Sequence, residues 1–287
     1  MKPAPFTYHD PQSLDDAYAL LATCENARVL SGGQSLIPML NFRYVQPDHI
    51  IDVAGIAALQ GIELKGNTLR IGAMTRQREI EFSDTVAKVC PLMTEAILQV
   101  GHRQTRNRGT IGGSLAHLDP AAELPLVACA MDATIHVGGK RGLRDLTFAD
   151  YALGFMTPAI ESDEMVLGAS FETWAPGHGS AFVEFARREG DFAIVAVATL
   201  LEIGADKVIK RASIAIGGAL ATAQRIAEAE AVLVGAQASP EAFRAAGEAC
   251  AKIDAMEDVH APASYRQSLA GALTRRALTT AAERANA

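Results

Sequence analysis

Two glycine pairs, each set beside hydroxyl-bearing residues, constrain this chain more than any other feature. The first lies in Arg28-Val-Leu-Ser-Gly-Gly-Gln-Ser-Leu-Ile-Pro38. Val29-Leu30 reads as a buried strand, and it runs straight into Ser31-Gly32-Gly33-Gln34-Ser35. Adjacent glycines let the backbone take positive φ and approach a ligand closely. Successive N–H groups in such a turn converge on an anion, and Gln34 and Ser35 add side-chain donors. Taken alone, a Gly-Gly is more often an ordinary tight turn. The second stretch, Arg108-Gly-Thr-Ile-Gly-Gly-Ser-Leu-Ala116, shifts that balance because it repeats the glycine pair beside hydroxyls. Two such loops suit the two phosphates of one dinucleotide. Neither reads Gly-x-Gly-x-x-Gly, so the Rossmann fingerprint is absent.

Composition narrows the function classes. With 287 residues and 49% hydrophobic residues, the chain is expected to form one large folded domain or two of ordinary size. A formal charge of −7 argues against a nucleic-acid surface. No secretory leader or membrane span is expected, and the protein is read as cytoplasmic. Cys24, Cys90, Cys129 and Cys250 are far apart and lack the spacings of zinc or iron–sulfur sites. They read as reduced, mainly buried thiols. The seven histidines are scattered too, and no metal is expected.

Along the chain, Ser13 caps a helix reaching Ala22, with Asp16 in a capping-box position. The strand at Val29-Leu30 and another across Pro47–Val53 make a small β-α-β unit. Ile62–Ala73 reads as a hairpin turning at Lys65-Gly-Asn. Thr75–Glu81 and Pro91–Val100 read as helices, and the second glycine stretch as a loop. A helix begins at Asp119, with prolines near its start. Ala133–Val137 and Leu143–Leu146 flank a third glycine pair, read as a plain turn, and Met165–Phe171 is a strand. Trp174-Ala-Pro-Gly-His-Gly-Ser180 is turn-rich and marks a domain boundary, giving domains 1–175 and 176–287. Beyond it, 181–187, 195–203 and 212–216 read as strands. The chain is alanine-rich and helical from Arg225, with Ser239-Pro240 capping one helix. Strands grouped with helices, without strict alternation, predict an α+β fold.

Ser31-Gly-Gly-Gln-Ser-Leu-Ile-Pro38 and Thr110-Ile-Gly-Gly-Ser-Leu-Ala116 together resemble the paired flavin motifs of the molybdenum hydroxylase medium subunit. That family includes the FAD subunit of aerobic carbon monoxide dehydrogenase and the FAD domain of xanthine dehydrogenase. Arg188-Glu-Gly-Asp-Phe-Ala193 is a third match and Ser264-Tyr-Arg-Gln-Ser-Leu-Ala270 a weaker fourth, so the resemblance runs through nearly the whole chain. It implies a two-lobed FAD-binding domain followed by a smaller domain of antiparallel strands and helices. It implies one non-covalent FAD, which accepts electrons from [2Fe-2S] clusters and passes them to an external acceptor. The clusters would reside in a small iron–sulfur partner and the molybdopterin in a large one, in a dimer of heterotrimers. No catalytic residue toward organic substrate is expected in this chain.

The resemblance places FAD on Leu30, Ser31, Gly32, Gly33, Gln34, Ser35 and Leu36, on Val100 and Gly101, and on Thr110, Gly112, Gly113, Ser114 and Ala116. The two glycine stretches would cradle the pyrophosphate through N–H groups and hydroxyls. Glu123 would approach the ribityl or ribose hydroxyls; family members often carry aspartate there. A helix N-terminal acid is the equally weighted reading of Glu123. Phe192 matches a position where an aromatic ring, often tyrosine, lies near the isoalloxazine; its other reading is a core aromatic. Glu184 falls where the family is often basic and is not assigned. Arg103, Arg106 and Arg108 are read as a solvated face or a docking face for an acidic partner surface, in preference to phosphate ligands. The rival readings are a stand-alone flavin oxidoreductase, whose substrate acid/base group the sequence does not place, and a non-enzymatic dinucleotide-binding module.

Overall fold

Ser13 Oγ accepts the Asp16 backbone N–H at 3.1 Å and donates to the Asp16 carboxylate at 2.7 Å, which starts helix α1 (Leu14–Thr23) where the sequence places it. In this computed structural model, which describes residues 1–285, that helix belongs to a small N-terminal lobe. The last two residues of the expected domain 176–287 lie outside the described residues. The lobe holds β1 (Thr7–His9), β2 (Ala27–Leu30), α2 (Leu36–Asn41) and β3 (His49–Asp52). Its three strands are parallel, in the order β1-β3-β2. The expected β-α-β unit therefore lacks one strand, β1, whose three residues carry no apolar alternation.

A larger lobe follows. Strands β4 (Ile62–Lys65) and β5 (Thr68–Gly72) form the expected hairpin. Six helices follow: α3 (Gln77–Glu81), α4 (Asp84–Val89), α5 (Pro91–Gln99), α6 (Arg103–Arg108), α7 (Ile111–His117) and α8 (Glu123–Ala130). The chain then returns through β6 (Thr134–Gly139), β7 (Gly142–Thr147), α9 (Phe148–Tyr151), a short hairpin of β8 (Ala152–Gly154) with β9 (Thr157–Pro158), and β10 (Glu164–Glu172). The last strand takes the centre of an antiparallel sheet ordered β4-β5-β10-β6-β7. Across it, His136 bonds Asp145 and Ser170 at 2.7 Å each. The three side chains stand in the order of a hydrolytic triad. Ser170, however, sits within β10 and is paired to β5 and β6, so its backbone is committed to the ladder and offers no oxyanion donor. The row is a cross-strand staple.

The second glycine stretch is not a loop. It forms α7, whose N-cap is Thr110 and whose first turn contains both glycines. Glycine is a poor helix former, and packing overrides it here: Gly112 lies so close to Ala73 that a Cβ would meet the Ala73 methyl at 2.5 Å. The helix expected from Asp119 starts later, at Glu123, because Asp119 bonds the Ala121 N–H and turns the chain first.

The C-terminal part has an antiparallel sheet of β11 (Gly179–Phe185), β12 (Val195–Ile203), β13 (Ile209–Gly217) and β14 (Gln224–Arg225), then α10 (Ala227–Leu233), α11 (Pro240–Cys250) and α12 (Ala263–Arg284). Strand β12 is buried on both faces over most of its length, in keeping with a run that is apolar apart from Thr199 and Glu202. Val195, Val197 and Leu201 join a core with α11 and α12, whereas Ala196, Ala198 and Leu200 join the core of the preceding lobe, which includes α5 and α8. The architecture is α+β throughout. Among the described residues, no helix is long and apolar enough to cross a membrane.

Candidate functional site

Both glycine stretches arrive at one place. Strand β2 ends at Leu30, paired with Asp52 at the end of β3, so the first stretch leaves the carboxyl ends of two parallel strands. Ligands in open α/β sheets commonly sit in such a crevice. Ser31 Oγ lies 2.7 Å from Thr110 Oγ1, which joins the two stretches directly, and Thr110 Oγ1 also accepts the Gly113 N–H at 3.0 Å. Gly32 presses on the backbone of the second stretch, where a Cβ would overlap the Arg108 carbonyl and meet Gly109 Cα at 2.8 Å. Gly33 takes φ +74°. In each pair the first glycine thus permits close packing.

The backbone donors of the two stretches are not equivalent. In α7, Gly112 N–H bonds the Ala73 carbonyl at 2.9 Å, Ile111 N–H bonds Thr75, and Ser114 N–H bonds Thr110. These donors are already engaged. Among the described residues, the N–H groups of Gly32, Gly33, Gln34 and Ser35 have no partner. Gly32, Gly33 and Gln34 line a cavity of about 410 Å³ together with Leu30, Ser31, Ile37, Pro38, Asp52 and Arg108, and Ser35 follows them directly. Three residues with free N–H donors, a positive-φ glycine among them, and an arginine in one crevice suit a pyrophosphate. Leu36 opens α2, directly after the donors.

The remaining candidates approach from other elements. Val100 ends α5 and Gly101 follows at φ +42°. The loop between β11 and β12 folds against this turn: a Cβ on Gly190 would lie 2.7 Å from the His102 ring and 3.3 Å from the Gly101 carbonyl. That loop exposes Phe192, which is 73% accessible. The core reading of Phe192 is therefore excluded. Buried Arg266, on α12, holds the loop's end by donating to the Ile194 and Gly218 carbonyls at 2.6 and 2.7 Å and pairing with Asp258 at 2.7 Å. Ala116 is exposed on α7.

Glu123 is the first residue of α8. Burial, with a smaller contribution from the Asp119 charge, pushes its carboxyl up to about 7. Burial first, and the Glu123 charge second, push Glu184 on β11 up to about 8. Glu184 Oε2 is buried without a partner. Near pH 7 Glu184 therefore keeps its proton for the most part and has an O–H to donate, whereas Glu123 is close to its midpoint and is both donor and acceptor.

Sequence reasoning missed Ile37, Pro38, Asp52 and Arg108 as lining residues and Glu184 as a perturbed acid. Asp52 had a signal, its position at the end of a strand parallel to β2. The arginine-rich stretch divides. Arg106 is not on a solvated face: its Nε lies 3.0 Å from Glu81 and its Nη1 bonds the Val100 carbonyl at 3.0 Å, so it braces the Gly101 turn. Arg108 lines the cavity, and Arg103 is exposed.

Comparison with known proteins gives concordant matches. Residues 4–171 match the family model for the FAD binding domain in molybdopterin dehydrogenase, and residues 180–281 match that for the CO dehydrogenase flavoprotein C-terminal domain. The nicotine 6-hydroxylase medium subunit of Paenarthrobacter nicotinovorans is 39% identical, covering 99% of this chain and 100% of its own length. The carbon monoxide dehydrogenase medium chain of Afipia carboxidovorans is 37% identical, covering 99% of both chains. Among solved structures, carbon monoxide dehydrogenase from Hydrogenophaga pseudoflava, in a form lacking the Mo-pyranopterin moiety, matches with a TM-score of 0.96 at 35% identity, covering 99% of this chain and 100% of that one.

Proposed function

The chain belongs to the family of FAD-binding medium subunits of molybdenum hydroxylases, oxidoreductases that act as complexes, and from that premise we propose that it is the subunit through which electrons leave such a complex. They would enter from [2Fe-2S] clusters of a small partner and depart to an external acceptor. The organic substrate would be met in a large molybdopterin partner. The proposed assembly is a cytoplasmic dimer of heterotrimers, with residues 1–175 forming the FAD-binding domain and 176–287 completing it.

One observation carries the site assignment: among the described residues the N–H groups of Gly32 to Ser35 have no partner, and Gly32, Gly33 and Gln34 line a cavity at the carboxyl ends of two parallel strands. In the proposed site these donors hold the pyrophosphate of one non-covalent FAD. Ser31 and Thr110 fix the spacing of the two glycine stretches, and Gly112, Gly113 and Ser114 present the first turn of α7 beside them, with Leu30, Leu36 and Ala116 as flanking walls. Val100 and Gly101 set the edge on which the Phe192 loop rests. Phe192 offers an exposed ring for a flat partner, and it has no phenol to donate a hydrogen bond. Glu123, whose carboxyl is pushed up to about 7 and so titrates near neutral pH, suits a ribityl or ribose hydroxyl as donor or acceptor. When bound, FAD supplies the conversion between single-electron and paired-electron transfer.

The test is anaerobic flavin absorbance on addition of carbon monoxide, a purine, an N-heterocycle or an aldehyde. The FAD-reconstituted subunit alone should stay oxidised with each of them, and adding the two partners should restore bleaching by the complex's own substrate. Bleaching of the isolated subunit at a catalytic rate would replace this reading with a self-sufficient flavoenzyme.

A further inference from the structure

The histidines and cysteines that look scattered in sequence do not all stay apart. We propose that His9, Cys24 and His49 form a binding site for one zinc-class divalent cation, in the N-terminal lobe and separate from the cofactor cavity. His9 ends β1, Cys24 caps the C-terminus of α1, and His49 begins β3. The parallel register pairs Thr7 with His49 and His9 with Ile51. His9 and His49 therefore project from the same face of the sheet, two positions apart. Helix α1 delivers Cys24 to the same place.

One ligand atom from each residue lies within 4.8 Å of the others, and all three side chains are partly buried. His9 Nε2 is 3.0 Å from His49 Nδ1, and Cys24 Sγ is 3.9 Å from His9 Nε2. Tetrahedral zinc, with bonds of about 2.0–2.1 Å to nitrogen and about 2.3 Å to sulfur, spaces two nitrogens about 3.3 Å apart and a nitrogen and a sulfur about 3.6 Å apart. The present separations bracket those values within a few tenths of an ångström. Without an ion, the two ring nitrogens face each other and share one proton. A cation would take a lone pair from each of the two nitrogens, moving the one N–H between them to the far nitrogen of the ring that carries it, and would displace the thiol proton of Cys24 to solvent.

The donor set selects the metal. Two imidazoles and one thiolate favour zinc over magnesium or calcium, which prefer oxygen ligands. Three protein ligands leave a fourth position for water. The ion would tie three separate segments together: the first strand, the end of the first helix and the start of β3. The far end of β3 is Asp52, which lines the cavity, so the clamp would stabilise the lobe from its opposite end.

The experiment uses the full chain loaded with FAD, stripped with a chelator and titrated with zinc chloride alone. Calorimetry in two buffers of different protonation enthalpy should give one zinc per chain with release of one proton. Cobalt substitution should give a thiolate-to-cobalt charge-transfer band. Cys24→Ser should abolish that band and weaken zinc binding at least tenfold, and His49→Gln should weaken it comparably, both with unchanged FAD content. Zinc should raise the thermal midpoint of the parent chain and leave that of Cys24→Ser unmoved. Equal zinc affinity in the parent and Cys24→Ser, absence of the cobalt band, or binding of copper(I) without zinc would overturn the proposal.

Discussion

Replacing Glu184 with glutamine should make the protein more stable, and increasingly so as pH rises. The folded-state carboxyl is pushed from the ordinary 4.5 to about 8, chiefly by burial and then by the Glu123 charge. An acid with a raised folded pKa binds its proton more tightly when folded. Stability is therefore highest below the unfolded value, falls through the window between 4.5 and about 8, and levels off above it. Between about pH 5.5 and about pH 8.5 the unfolded carboxyl is ionised throughout, while the folded one resists ionisation over roughly two and a half pH units; at ~1.36 kcal/mol each, the wild-type chain loses about 3 kcal/mol from this group. Glutamine cannot ionise and keeps the shape, so Glu184→Gln should lack that loss. The assay is urea unfolding of FAD-free protein at the two pH values, followed by far-UV circular dichroism and by the fluorescence of Trp174, the single tryptophan. Trp174 is buried and stacked under Arg211 at 3.9 Å, so it reports on loss of its packed environment. The variant's advantage at the higher pH should exceed that at the lower pH by about 3 kcal/mol. Parallel pH dependences in the two proteins would refute the idea that Glu184 is held neutral by its surroundings.

Two further outcomes follow from the site. Gly33→Val should lose FAD while keeping its far-UV spectrum, because φ +74° is strained for a branched side chain by about 1–2 kcal/mol and the strain falls on the free donors; stoichiometric FAD in that variant would remove the pyrophosphate assignment. Arg266→Ala should destabilise the chain by about 1–3 kcal/mol by leaving the Ile194 and Gly218 carbonyls without their buried donor; a thermal midpoint equal to that of wild type would show that the loop carrying Phe192 is held by something else.

What could be read in the sequence was local. Ser13 with Asp16 is a self-contained signal, because both partners lie within one turn. The run Val195–Ile203 is strand-like from its own residues, while its burial on both sides comes from the two cores it joins. Elements set by distant contacts were illegible. Helix α6 has no apolar residue and is anchored through Arg106 to Glu81, 25 positions away. Helix α7 contains two glycines and has the sequence of a loop, since its start depends on Thr110 and on the closeness of Ala73. Strand β1 is too short and exposed to announce itself. At the site, the glycine pairs and their hydroxyls were visible, but not the division of labour between them. That division depends on which N–H groups the neighbouring carbonyls of Ala73 and Thr75 had already engaged. Phe192 offered two readings because sequence carries no burial, and its exposure decided between them.

The two-sided burial of β12 has a mechanical consequence. Relative motion is the usual expectation for two domains in one chain unless their interface is large and apolar. Here Ala196, Ala198 and Leu200 belong to the same core as Leu124, Leu126 and Val127 of α8, so the joint contains no hinge. A redox partner docking on either half would meet a single stiff body. In the proposed electron route, the spacing between the glycine cavity and the Phe192 loop would then be set when the chain folds, and not renegotiated at each encounter.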